Sequence, residues 1–224
     1  MQHRSARGLI GYFHRRNGVT GREYFAITRH SDGVRTLRAQ CEMDDDEVLR
    51  DVTFSVDGRW RPLDAFVRLT VRDRFVGSSW FRFHRGGAEC EGFTATEGRI
   101  SQRVALDAWP AYFGTHSLVT DGWHAALWRE GGPEVQRFPS LITSHAANGA
   151  TGPVIAAGTA ALQLAGRETL RVPAGAFDSR HFLITFGSFA TPMHFWVTGE
   201  DHQILRIEWD HLDAYYELLE YSAS

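Results

Sequence analysis

The sequence predicts a mainly β protein: a strongly curved antiparallel sheet, either a half barrel or an open barrel, with a short helical, loop-rich insertion. Polar and apolar residues alternate with a period of two along much of the chain, which is the pattern of half-buried strands. Turn-forming pairs such as Asp32-Gly33 and Asp57-Gly58 separate these segments. Because a sheet of many strands curls or closes to protect its edges, it acquires a concave face, which is filled by a helix or left as a ligand cavity.

The strand assignments rest on alternation that can be followed residue by residue. In Asp51–Val56 the apolar Val52, Phe54 and Val56 share one face, and polar residues take the other. Asp64–Arg72 follows the same pattern with one exception. Further candidate strands are Arg22–His30, Val34–Glu42, Ser79–His84, Ala88–Thr94, Gly98–Val104, Ala161–Val172, Ser179–Phe186, His194–Thr198, Gln203–Trp209 and Tyr215–Tyr221.

The region of about 105–152 differs from the rest of the chain. Ala105–Phe113 and Gly122–Arg129 read as short helices, although Pro110 interrupts the first, and prolines and the pair Gly131-Gly132 break up the remainder. No shift in composition marks a linker. We therefore predict a single β-rich domain over residues 1–224, with this irregular and helical segment as an insertion.

The composition excludes several classes of chemistry. The formal net charge is −3, which gives no reason to expect a nucleic-acid or membrane-surface partner. All 24 basic residues are arginine, so Schiff-base chemistry and a lysine-dependent phosphate loop are ruled out. The chain carries no GxSxG nucleophile motif, no GxGxxG motif after a strand, and no histidine spacing typical of a metal site. We predict no cofactor and no bound metal.

The first residues and the cysteines bear on the compartment. The apolar stretch near the start is only Leu9, Ile10, Tyr12 and Phe13 and is broken by glycine, whereas a secretory signal needs an uninterrupted apolar core. Cys41 and Cys90 lie in strand-like segments without a CxxC spacing, which favours two buried thiols. From these features we expect a cytoplasmic protein.

Histidines and one aspartate are the candidate catalytic residues. Eleven histidines are present, about twice the number we would expect, and the informative ones lie in the irregular segment and the late strands. Imidazoles beside aromatic walls are common general bases near neutral pH. The alternative is structural, because such side chains often hydrogen-bond to the backbone of their own loop. The candidates are His116, His124, His145 and His194, with Asp121 to orient one of them.

Aromatic and charged residues suggest a ligand site. Three of the seven tryptophans lie in the insertion, and aromatic side chains over a concave sheet suit a flat, apolar ligand. Arg206 and Glu208 share a strand face, either as an ion pair or as an anchor for a polar ligand group. The candidate ligand-binding residues are Tyr112, Trp123, Trp128, Trp196, Arg206 and Glu208.

Two functions remain open at this point. The first is a cofactor-independent acid/base enzyme, an isomerase, lyase or hydrolase, acting on a small hydrophobic or aromatic metabolite. The alternative is a non-catalytic, lipocalin-like carrier or binding protein for a hydrophobic ligand. A third hypothesis is a homodimer formed through an exposed sheet edge.

One turn resembles a known family. The stretch Arg171–Ser179, which reads RVPAGAFDS, precedes a strand and is followed by Trp196 and the closing Tyr216-Glu217-Leu218 segment. This last quarter of the chain is similar to a bacterial domain-of-unknown-function family. In that family a V-P-A-G-x-F turn joins two strands of a curved antiparallel sheet, similar to the half barrels of lipoprotein carriers. The resemblance implies a fold and carries no activity.

Overall fold

The computed structural model describes residues 3–187, 189 and 191–224, and fifteen strands within these residues form one sheet. In chain order the strands β1 to β15 are Arg4–His14, Gly18–Arg29, Arg35–Met43, Val48–Val56, Pro62–Val71, Arg74–His84, Gly87–Thr94, Gly98–Ala105, Phe113–Gly114, Gln136–Ile142, Ala156–Val172, Gly175–Phe186, Met193–Thr198, Gln203–Trp209 and Ala214–Ala223. One α-helix, α1, spans Leu118–Gly122, and short 3-10 helices span Trp123–Leu127 and Asp210–Leu212.

The sheet is an open, curved meander. Its strand order runs from β8 down to β1, then to β15 and down to β9. Neighbouring strands are antiparallel throughout, except that β9 and β10 are parallel. Strands β8 and β9 are its two edges, so the sheet is not closed into a barrel. The predicted fold class, a curved antiparallel half barrel with a short helical insertion, is confirmed.

Strand β1 joins the two halves of the sheet and has no counterpart among the predicted strands. It pairs with β2 on one side and with β15 on the other. Gly8 and Gly11 lower its strand propensity and interrupt its apolar pattern. Gly8 is required by close approach, since a Cβ atom there would lie 2.6 Å from Cζ of Phe25 and would also collide with the carbonyl oxygen of Glu220.

The insertion is less helical than its sequence predicts. Residues of the proposed helix Ala105–Phe113 form no helix, and Phe113 instead starts the short strand β9. The second predicted helix, Gly122–Arg129, corresponds to α1 and the 3-10 turn after it, shifted by about one turn toward the start of the chain. Strand β10 was also unexpected, because Pro139 lies within it; next to the edge strand, a missing N–H is tolerated.

The insertion covers the concave face of the sheet. Helix α1 packs against β13 and β14. Phe113 is fully buried, with its ring centroid 4.8 Å from that of Phe81 and 4.7 Å from that of Phe83. Apolar side chains from both halves of the sheet meet beneath it, including Phe54, Phe182 and Phe195, each at most 1% exposed. Burial of this apolar surface is the main stabilising term in the fold.

Contacts inside the curve hold the end of the insertion against the far side of the sheet. The Gln102 side chain accepts a hydrogen bond from the backbone N–H of Ile155 at 2.7 Å and donates one to its carbonyl oxygen at 3.3 Å. The Ser79 hydroxyl donates to the carbonyl oxygen of Pro153 at 2.6 Å. The segment before β11 is therefore fixed to β6 and β8, so the two ends of the open sheet are drawn together.

A second set of contacts joins turns from the two halves. Nε of Arg35 donates to Asp201 at 2.7 Å, and its guanidinium lies 4.1 Å from the ring centroid of Trp60. Trp60 also lies against His202, at 4.7 Å between ring centroids. Arg35 and Trp60 come from the β2–β5 side and Asp201 and His202 from the β13–β14 turn, so these contacts close one mouth of the half barrel.

The V-P-A-G-x-F turn connects β11 to β12, as the resemblance implied. Val172 pairs with Gly175, leaving Pro173 and Ala174 in the turn. Gly175 has φ of +142°, a conformation that favours glycine. Phe177 folds back onto the sheet, edge-on to Tyr221 with ring centroids 6.5 Å apart.

Cys41 and Cys90 are free and buried, which confirms the expectation of two buried thiols. Within the described residues, no helix has the length and apolar character needed to cross a membrane.

Candidate functional site

A cavity of about 180 Å³ lies between the concave face and the insertion. Strands β1 to β4 supply Tyr12, Met43 and Arg50, the insertion supplies residues of 112–124 and 140–148, and the late strands and their loops supply the opposite wall. Aromatic side chains contribute much of the lining, namely Tyr12, Tyr112, Phe186, Phe189, Trp209 and Tyr216. Acidic and imidazole groups also line it, namely Asp45, Asp46, Asp121, His116, His124 and His145.

Beside the cavity lies a buried carboxylate, Glu23, which is 0% exposed. Its Oε1 accepts hydrogen bonds from the Ser117 hydroxyl at 2.6 Å and the Val119 N–H at 3.2 Å. Its Oε2 accepts from the Tyr12 hydroxyl at 2.9 Å and the Leu118 N–H at 2.8 Å. Glu23 therefore satisfies the first amides of α1, which have no partner within the helix, and fixes α1 over the sheet.

Arg50 holds two loops of the insertion together and is 1% exposed. Its Nη1 donates to the carbonyl oxygen of His116 at 3.0 Å, and its Nη2 donates to that of Asn148 at 2.8 Å. Gly149 is needed here, because its φ is +66° and a Cβ would collide with the guanidinium. Glu23, Cys41 and Arg50 lie in one register row across β2, β3 and β4, so both charges are presented to the same side of the cavity.

His124 lies in the cavity wall as a neutral imidazole. Its Nδ1 is 2.9 Å from the carbonyl oxygen of Asp121, which fixes the proton on Nδ1 and leaves Nε2 as an acceptor. Burial lowers the pKa of His124 to about 3. The ring lies against Tyr112, with centroids 3.5 Å apart, and Nε2 is buried with no hydrogen-bond partner among the described residues.

His116 is held by the loops that surround it. Its Nε2 donates to the carbonyl oxygen of Ser144 at 3.2 Å, and its backbone φ of +60° is unusual for a residue other than glycine. Burial and the nearby Arg50 guanidinium lower its pKa to about 3. The ring is therefore neutral and fixed in place, which corresponds to the structural alternative for this residue.

Asp121 presents a carboxyl group to the cavity. It is partly buried, and its side chain forms no hydrogen bond within the described part of the chain. Burial, followed by the charge of Glu23, raises its pKa to about 8. The cavity thus holds a carboxyl group that is protonated at neutral pH and ionises readily if a cation approaches.

The structure brings together five of the predicted site residues. Tyr112, His116, Asp121, His124 and His145 all line the cavity, and all belong to the insertion. His145 is exposed at its edge.

The remaining predicted residues lie elsewhere. Trp123 is packed between Phe54 and Trp60, with ring centroids 5.7 and 5.6 Å away, and Trp128 packs against Phe182. These tryptophans fill the core and do not line the cavity.

The predicted residues on the late strands occupy the convex face. His194 Nδ1 lies 3.0 Å from His181 Nε2, and Trp196 stacks on His181 and donates to Glu168 at 2.8 Å. On the same face, Arg206 forms ion pairs with Glu217 and Glu208. The opposite side chains of β13, such as Phe195, are fully buried in the concave face. The predicted site residues His194, Trp196, Arg206 and Glu208 therefore do not line the cavity, because their face of the sheet is the convex one.

Two residues of the site, Glu23 and Arg50, were not among the predicted ones. Glu23 shares its strand face with Phe25 and Ile27, and Arg50 shares its own with Val52. A charged residue in the apolar register of an otherwise alternating strand is the signal that identifies both. Among the described residues, no group of three or more histidine, cysteine, aspartate or glutamate side chains is arranged to hold a metal ion.

Comparison with known proteins identifies the fold. No family model and no curated protein matches the chain. The structure is similar to the crystal structure of a β-barrel-like protein of the DUF1849 domain of unknown function from Brucella abortus, with a TM-score of 0.60 and 9% identity over 98% of each chain. A DUF1089-family protein from Pseudomonas aeruginosa matches with a TM-score of 0.48 and 11% identity, over 85% of this chain and 90% of that chain. The resemblance to bacterial domains of unknown function with a curved antiparallel sheet is confirmed at the level of fold.

Proposed function

We propose that this protein binds a small apolar or aromatic molecule in the cavity beneath the insertion. The observation that carries the proposal is an aromatic-walled cavity of about 180 Å³ on the concave face, with a few polar groups at fixed positions. Such a lining is typical of small-molecule sites. An apolar protein cavity of about 150 Å³ accommodates benzene. The enclosed part of the ligand is therefore about the size of one substituted ring or a short chain.

Binding is favoured over catalysis by the state of the imidazoles. His116 and His124 are neutral, with pKa values lowered to about 3, and each has one ring nitrogen next to a backbone carbonyl. A base with so low a pKa has little driving force for proton abstraction at neutral pH. Their hydrogen bonds fix the cavity wall, which is what a binding site requires.

The proposal is tested with two ring-sized probes, toluene and benzylamine, in thermal unfolding and calorimetric titration. Ala146 lines the cavity, so Ala146→Phe fills it, whereas Ala26 is exposed on β2 and Ala26→Phe is the matched control. We expect at least one probe to raise the Tm of the unmodified protein and of Ala26→Phe, but not that of Ala146→Phe. A probe present at 100 times its Kd stabilises by about 2.7 kcal/mol. The proposal fails if neither probe binds, or if Ala146→Phe responds as the control does.

A second candidate, acid/base catalysis, is favoured by one specific observation. The Asp121 carboxyl, with its pKa raised to about 8, lines the same cavity as His124. A carboxyl group tuned toward neutrality is a usual proton donor or acceptor in enzymes. Mass spectrometry of a ligand recovered with the purified protein tests this role. Catalysis is supported if turnover of the ligand is lost in Asp121→Asn and kept in His194→Ala, a variant on the opposite face of the sheet. Catalysis is rejected if the ligand is recovered unchanged with both of these variants.

A further inference from the structure

Acidic groups outnumber basic groups around the cavity. Asp45 and Asp46 line it, Glu23 lies behind its wall, and Asp121 adds a carboxyl group that is protonated at neutral pH and ionises when a cation approaches. Arg50 is the one arginine among the lining residues, and its guanidinium is occupied by the carbonyl oxygens of two loops. An anionic ligand would meet carboxyl groups and no free cation, whereas a cationic ligand would meet an attractive field.

The unpaired polar atoms of the wall can accept hydrogen bonds from a cationic ligand, Asp121 once its carboxyl group has ionised. The Asp121 carboxyl has no hydrogen-bond partner within the described residues, and His124, which is 1% exposed, leaves Nε2 without one. A buried acceptor without a partner is unfavourable, because it has lost its hydrogen bonds to water. A ligand that donates hydrogen bonds recovers this cost, and a carboxylate ligand has none to donate.

Aromatic rings surround these acceptors. Tyr112 lies against His124, and Phe186 lies edge-on to the same imidazole, with ring centroids 5.4 Å apart. Trp209 and Tyr216 line the cavity on the side of β14 and β15. Aromatic faces stabilise an ammonium ion through cation–π attraction, and more so where water is displaced.

We infer that the ligand is an apolar amine, whose ammonium group pairs with the Asp121 carboxylate and donates to His124 while its ring or chain occupies the aromatic part of the cavity. This inference rests on the proposed function, because it specifies the ligand of the same cavity. Asp45 and Asp46 contribute attraction at long range, and the cavity discriminates against carboxylic acids of the same size.

The test compares three matched ligands by calorimetric titration at pH 7: benzylamine, toluene and benzoate. We expect benzylamine to bind at least ten times more tightly than toluene, and benzoate to bind more weakly than toluene. In Asp121→Asn the ratio of the benzylamine and toluene affinities falls toward one. Asp51→Asn, on the exposed face of β4, is the control and keeps the ratio of the unmodified protein.

Each outcome separates this inference from the proposed function. If toluene or benzoate binds as tightly as benzylamine, the amine inference is overturned while binding in the cavity stands. If none of the three binds, the proposed function itself fails. Should Asp121→Asn not fold, the ranking of the three ligands with the unmodified protein still decides the inference.

Discussion

The side chain of Glu23 lies beneath the insertion, with four donors from β1 and the start of α1 directed at its two carboxylate oxygens. The Cys41 thiol adds a longer contact at 3.4 Å. All of these groups are donors, so the site tolerates acceptors only.

Glu23→Gln is expected to destabilise the protein by about 2–4 kcal/mol, because an amide NH₂ must then face N–H or O–H donors in a buried site. Urea unfolding measures the loss. The control is Glu42→Gln, which removes an ion pair with the solvent-exposed Arg22 and should cost far less, because water screens the pair. Equal losses in the two variants would contradict the assigned role of Glu23.

Side chains of the site could be predicted only where their neighbours in sequence revealed their surroundings. Asp121 and His124 were found because both lie in one irregular segment, and segments of this kind carry functional groups. His194 and Trp196 were misplaced because alternation shows that a strand has two faces but not which of them becomes concave. Their fully buried neighbour Phe195 defines the concave side, and that is a property of the folded sheet.

At the level of elements, β1 is central to the sheet, and its glycines allow the close packing around it. Gly8 lies opposite Phe25 in β2 and Tyr221 in β15. A Cβ atom there meets both a side chain and a backbone carbonyl, and the carbonyl cannot move without disturbing the β1–β15 pairing.

Gly8→Ala is therefore expected to lower the free energy of unfolding by about 1–3 kcal/mol. Gly166 lies in β11, and nothing is within 4 Å of a Cβ added there, so Gly166→Ala is a matched control with an expected effect near zero or slightly stabilising. Chemical unfolding of both variants decides the matter, and a Gly8→Ala protein as stable as Gly166→Ala would refute the importance of close packing at β1.

Strands were predictable where polar and apolar residues alternate and turns are marked by glycine. Each of the twelve predicted strands overlaps a strand of the structure. The misses have local causes: glycines interrupt the pattern of β1, Pro139 lies within β10, and β9 has only two residues. The pairing of β1 with β15 depends on contacts between distant parts of the chain, which local patterns do not encode.

For the whole molecule, burial of titratable groups predicts a maximum of stability near pH 6.5. The folded-state pKa values of His116 and His124 are about 3, and that of His202 about 4, all below the ordinary value of 6.5. On lowering the pH, the unfolded chain takes up these protons near pH 6.5, whereas the folded protein takes them up only near pH 3 to 4. The free energy of unfolding therefore decreases as the pH falls below 6.5. Asp121 acts in the opposite direction: its pKa of about 8 exceeds the ordinary 3.8, so its contribution declines as pH rises between these values.

Below pH 6.5 the three histidines outweigh the single aspartate, and between pH 6.5 and 8 Asp121 acts alone among these four groups. We expect the free energy of unfolding to rise from pH 5 to 6.5 and then fall by up to about 1.4 kcal/mol per pH unit. Urea unfolding at pH 5, 6.5 and 8 measures this profile. Asp121→Asn should abolish the decline above pH 6.5, and a variant that keeps the decline would show that another group causes it.

Followed from β9 to β15, then to β1 and on to β8, every strand of the sheet lies beside its neighbour in sequence, with the β15–β1 step as the one exception. Ala223 lies opposite Ala6, so a short linker could span that step. A circular permutant that starts at β9 and ends at β8 would then build the same sheet with every pairing between successive strands. Its lower contact order predicts faster folding than that of the natural chain.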